Sequence, residues 1–170
     1  MTHVLVMGVC GTGKSSVGSA IAERLGADFL DADGFHPPAN IDSMRAGRPL
    51  DDEMRRGWLD AVGEAVAGAN GRQIFACSAL KSSYRARLRA RIGDMLTVHL
   101  TGTQSLLENR VRAREGHFMP ASLVASQFAD LEPPSGQTVV EIDVAHSPDE
   151  VVNQAVSFIR DADRRLCVQV

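Results

Sequence analysis

Gly8-Val9-Cys10-Gly11-Thr12-Gly13-Lys14-Ser15 decides how the rest of this sequence is read. It is a complete G-x-x-x-x-G-K-S. Glycines at this spacing let successive backbone N–H groups turn inward around a chain of phosphates. A helix that starts at the lysine aims its positive dipole end at the same anion. Such a loop needs a strand before it and a helix after it, and both are legible. Val4 to Met7 is a short apolar run that reads as a buried parallel strand. Lys14 to Leu25 places Val17, Ile21, Ala22 and Leu25 on one face and stops at Gly26, so it reads as an amphipathic helix. Gly8, Gly11, Thr12, Gly13, Lys14, Ser15 and Ser16 are therefore the candidate nucleotide-binding residues. Lys14 reaches the outer phosphates, and the Ser15 hydroxyl can ligate Mg²⁺.

Outward from the loop, strands and helices alternate. Strands are expected at Asp28 to Asp31, Gln73 to Cys77, Met95 to Leu100 and Thr138 to Ile142. Helices are expected from Pro37-Pro38 to Met44, from Asp51-Asp52 through Val66, and over Ser82 to Ile92. Three more are expected over Thr103 to Arg114, Pro120 to Leu131 and Pro148 to Asp163, the last capped by Ser147. This order predicts a three-layer α/β/α domain with a mainly parallel five-stranded sheet. No linker or repeat interrupts it, so residues 1–170 read as one domain.

The composition bounds the function. The chain has 170 residues, enough for one ordinary domain with a real core. Its net charge is -3, which offers no general attraction to nucleic acid or to anionic lipid. No apolar run approaches the ~20 residues that span a bilayer. The start, MTHVLVMG, enters a strand at once and does not read as a signal peptide. Cys10, Cys77 and Cys167 cannot all pair, and a reducing, cytoplasmic setting is expected. The five histidines are scattered, which disfavours zinc. Of the 18 basic residues only Lys14 and Lys81 are lysines.

The motif leaves open which class of nucleotide protein this is. A GTPase-like switch could use the D-x-x-G in Asp31-Ala32-Asp33-Gly34, but guanine recognition needs an N-K-x-D, and neither lysine lies in one. A motor or remodelling ATPase wants a longer apolar strand ending in Asp-Glu, which is missing. A compact kinase fits the size. Asp31 and Asp33 follow the second strand, where strand ends line the ligand crevice of a parallel sheet. One can hold Mg²⁺ while the other takes the proton of an attacking hydroxyl. Lys81 falls at the end of the third strand. Arg110 and Arg114 share a helix face and can neutralise the transferred phosphoryl group. Arg112 reads as solvated, as do Arg85, Arg87, Arg89 and Arg91.

These stretches together resemble the gluconokinase family of P-loop kinases, similar in plan to shikimate kinase and the nucleoside monophosphate kinases. The resemblance is carried by GVCGTGKS at 8–15, FLDADGFHPPANIDSM at 29–44 and GRPLDDEMRRGWL at 47–59. CSALKSSYRARLR at 77–89 and RAREGHFMPASLVASQFADLEPP at 112–134 extend it. Cys10 and Thr12 stand where serines are usual, Ser43 where lysine is common, and Gly57 where proline precedes Trp58. The resemblance implies transfer of a phosphoryl group from ATP, with Mg²⁺, to the 6-hydroxyl of D-gluconate. It places Asp33, His36, Arg55 and Lys81 around the gluconate, makes residues near 112–131 a helical lid, and implies a cytoplasmic homodimer.

Overall fold

The computed structural model describes residues 2–113 and 122–168. Its elements run β1 (His3–Met7), α1 (Lys14–Leu25), β2 (Asp28–Asp31), α2 (Pro38–Arg45), α3 (Asp52–Ala67) and β3 (Gln73–Ala76). They continue as α4 (Ser82–Ile92), β4 (Met95–Thr101), α5 (Gln104–Ala113), α6 (Ser122–Asp130), β5 (Val139–Asp143) and α7 (Pro148–Val168). The five strands form one sheet in the order β2-β3-β1-β4-β5, and all four pairings are parallel. The expected α/β/α architecture is what the chain adopts.

β1 is central because it can afford to be. Val4, Leu5, Val6 and Met7 are each fully buried, so side chains on both faces of the strand enter a core. Val4 and Val6 pack with Ile21 and Ala22 of α1 and Val152, Val156 and Ile159 of α7. Leu5 and Met7 face the opposite way, onto Trp58, Leu59 and Val62 of α3 and Leu88 of α4. The connection after β1 therefore crosses to one face, while the connection after β3 crosses to the other. Their divergence opens a crevice at the C-terminal ends of β1 and β3.

Local chemistry sets the boundaries. Gly26 ends α1 in the left-handed conformation and returns its N–H to the last turn, as expected of a C-cap glycine. Asp51 caps α3 by accepting the Met54 N–H at 2.8 Å. Gly8 has φ +151, and a Cβ there would come within 2.5 Å of the Leu100 carbonyl oxygen, so only glycine allows the loop to leave β1 this close to β4.

Two expectations are corrected. α7 does not stop at Asp163 but continues to Val168. The arginines of α4 do not form a uniformly solvated face. Arg85 is 4% exposed and donates to the carbonyls of Ala79, Leu80 and Glu132 at 2.8–2.9 Å. Arg87 and Arg91 pair with Asp60 of α3. The expected helix start at Pro120 lies outside the described residues, and α6 is seen from Ser122.

Candidate active site

The loop between β1 and α1 forms the floor of the site. Gly13 occupies the N-cap of α1 at φ 85 and offers no side-chain cap, so the first amides of the helix face outward. They sit where an anion is attracted by both N–H groups and the helix dipole. Lys14 lies back along the loop and donates to the Val9 carbonyl at 3.2 Å. The Thr12 hydroxyl donates to the same carbonyl at 2.8 Å.

β2 delivers the acidic pair. Asp31 closes a single 3₁₀ turn, Ala32–Phe35, by accepting the Asp33 N–H at 3.0 Å through one carboxylate oxygen. Its other oxygen accepts the Ser15 hydroxyl proton at 2.5 Å. The turn projects Asp33 into the same cavity as Lys14 and Ser15. Two hard oxygens, from Ser15 and Asp31, thus meet at the mouth of the phosphate loop. Among the described residues no group of three or more Asp, Glu, His or Cys could hold a metal on its own. The donor set suits Mg²⁺, which keeps waters and takes the rest of its shell from substrate phosphates.

The opposite wall comes from α3. Trp58 Nε1 donates to the Ala32 carbonyl at 2.7 Å and locks the 3₁₀ turn. The His36 ring stacks on Trp58 with centroids 4.1 Å apart and 17° between planes. Two contacts fix its tautomer. Asn40 Nδ2 donates to the Met54 carbonyl at 2.9 Å, so that atom is the amide nitrogen. It lies 3.3 Å from His36 Nδ1, which must then be the acceptor. The ring proton is on Nε2, 3.8 Å from an Asp33 oxygen. Burial, reinforced by the Arg55 charge, lowers the His36 pKa to about 4 against the opposing pull of Asp31. His36 is neutral at neutral pH. Arg55 is buried, donates through Nε to the Leu50 carbonyl at 3.1 Å, and lies over the Tyr84 ring.

Lys14, Ser15, Asp31, Asp33, His36 and Arg55 line one cavity, together with Ser78 and Gln127. A second cleft shares Gly11, Gly13 and Ser16 with it but lies on the far side of the loop, against Val144, Pro148 and Val151. Cys77, under the first cavity, is no nucleophile, because burial pushes its thiol up to about 12.

No family model matches the chain. It is 41% identical to a gluconokinase of Gluconobacter oxydans over 165 residues, which span 94% of this chain and 92% of that protein. The chain belongs to the gluconokinase family. The crystal structure of a gluconokinase from Sinorhizobium meliloti superposes with a TM-score of 0.91 at 44% identity, covering 99% of this chain and 97% of the other. Shikimate kinase from Aquifex aeolicus shares the fold, with a TM-score of 0.63 at 14% identity over 95% of this chain and 98% of that one.

Within this gluconokinase frame, two expected residues stand apart from the main cavity. Lys81 does not line it. Its ammonium donates to Asp52 at 2.9 Å and lies 3.9 Å from Asp130, on an outer rim between α3 and α6. The Tyr84 hydroxyl also donates to Asp52; with Lys81 it holds that carboxyl below the usual range. Arg110 lines the second cleft and donates to the Val144 carbonyl at 2.9 Å, so it faces the far side of the loop. Arg114, and with it Gly116-His117-Phe118, lies outside the described residues. Sequence reading missed Trp58 and Gln127 as cavity walls. Gln127 had a signal in the SQF of the 112–134 stretch, but nothing local says which way it points.

Proposed function

We propose that this chain transfers the terminal phosphoryl group of ATP to the 6-hydroxyl of D-gluconate, releasing 6-phospho-D-gluconate and ADP. The observation that carries the reading is one cavity in which the phosphate loop meets a carboxylate, Asp33, and a buried cation, Arg55. The nucleobase fits the cleft beside Arg110, Val144 and Pro148, and the phosphates run from there across Gly11 and Gly13 to Lys14. Arg110 then contacts the nucleotide, and Arg114 is left as the arginine for the transferred group. Ser15 and Asp31 would hold Mg²⁺, which neutralises phosphate charge when bound.

Gluconate brings a carboxylate and a row of hydroxyls. Arg55 offers it a fork of donors. Neutral His36 presents its Nε2 proton to a hydroxyl oxygen. Asp33 accepts the proton of the attacking 6-hydroxyl as its oxygen bonds to phosphorus. The lid expected over 112–131 belongs to this reading; of it, residues 114–121 lie outside the described residues. Lys81 acts at one remove, by fixing Asp52 at the start of α3 near Arg55. A cytoplasmic homodimer completes the reading.

The two aspartates test it. Asp33→Asn should lower kcat on gluconate by about 10²-fold or more with little change in the KM for ATP, as expected for loss of a proton acceptor. Asp31→Asn should instead shift the Mg²⁺ titration to higher concentration. Identical kcat and identical Mg²⁺ titrations in the two variants would contradict this division of labour.

A further inference from the structure

Gln127 is bonded to the phosphate loop across 117 positions of sequence. Its side-chain oxygen accepts the Cys10 N–H at 2.7 Å. A backbone N–H can be met only by an acceptor, so the amide oxygen faces the loop and the NH₂ group is turned away from Cys10. Gln127 is 8% exposed. On α6 it follows Leu123 and Val124 by four and three positions, so it shares their buried face. Val124 sits in the main core. α6 is thus anchored at one turn and bonded to the loop at the next.

The place of the bond on the loop matters. Cys10 and Lys14 line the cavity that holds Asp33 and Arg55, and neither lines the nucleobase cleft. Gln127 therefore grips the acceptor side of the loop, at the end where phosphoryl transfer occurs. We propose that Gln127 is a positioning residue that fastens α6 to the acceptor side of the phosphate loop, so that gluconate rather than water meets the terminal phosphoryl group. This rests on the gluconate kinase reading above. Excluding water is a positional task, and small displacements in such sites cost rate steeply.

The test compares Gln127→Met, of similar length but without the amide acceptor, with Gln127→Glu, which keeps an oxygen for the Cys10 N–H. ADP release and phosphogluconate formation are followed together in the full chain with ATP, Mg²⁺ and gluconate. Gln127→Met should lower kcat by roughly tenfold or more, hold the KM for ATP within about twofold, and release more ADP per phosphogluconate as water takes the phosphoryl group. Gln127→Glu should keep the wild-type ADP-to-phosphogluconate ratio even if its added charge slows turnover. A wild-type ratio and rate in Gln127→Met, or an equally disturbed ratio in both variants, would overturn the proposal. If Gln127→Met does not fold, Gln127→Glu decides alone, by the same ratio. Amide exchange at Cys10 needs no acceptor and separates this proposal from the function reading. Faster exchange in Gln127→Met than in the wild type supports the bond even if gluconate is not the substrate, and unchanged exchange overturns it.

Discussion

Asp31 meets two donors at once, the Asp33 N–H and the Ser15 hydroxyl, and in the proposed function Asp33 is the carboxylate that takes the proton of the acceptor. The spacing of two in the sequence suggested a split of roles, and the 3₁₀ turn brings both carboxylates to one cavity, which fits the proposed split. His36 depends more on its surroundings. Its side chain is 4% exposed, and burial with the nearby Arg55 charge holds its pKa at about 4, below the 6.5 of a free histidine. Between those values the unfolded chain binds a proton that the native chain refuses. Stability is therefore full above about pH 6.5 and falls as the pH drops towards 4, by about 3 kcal/mol in total for this group. Thermal melts between pH 7 and 4.5 should show a shallower decline for His36→Gln than for the wild type. Parallel declines would mean that His36 is not held neutral by the fold.

Among the elements, α3 carries the clearest opportunity and α4 the clearest surprise. Gly57 lies on the exposed side of α3, and a Cβ placed there meets nothing within 4 Å. Glycine in a helix interior costs roughly 0.5–1 kcal/mol relative to alanine. Gly57→Ala should raise the Tm by roughly 2 °C and leave kcat unchanged; a lower Tm would show that α3 needs glycine there. Most elements were legible because their signals are local. Gly26 past α1, Asp51 before α3 and the two-sided apolar run of β1 each fix a boundary within a residue or two. α7 ran past its expected end, to Val168, because no glycine or proline after Asp163 stops it. Arg85 was misread because arginines at 85, 87, 89 and 91 look like a solvated face. In a helix, though, Arg85 lies one turn from Leu88 and turns inward, where carbonyls from distant Glu132 meet it. The partners of Lys81 and Gln127, Asp52 and the Cys10 N–H, were not legible because they are brought near only by packing.

At the scale of the whole molecule, the fold gathers Lys14, Ser15, Asp31, Asp33, His36 and Arg55 at one crevice. The net charge is -3, and no helix among the described residues is long and apolar enough to cross a membrane. The central claim is that the crevice binds a sugar acid, with the buried Arg55 answering its carboxylate. Glucose offers the same 6-hydroxyl without that carboxylate. It would leave Arg55 stripped of water and without its anion, and an uncompensated buried charge costs on the order of 3 to 5 kcal/mol. Measuring kcat/KM of the wild-type enzyme for gluconate and for glucose, with ATP and Mg²⁺, tests this directly. The account predicts a preference for gluconate of roughly a hundredfold or more. Equal values for the two, or a preference for glucose, would contradict it.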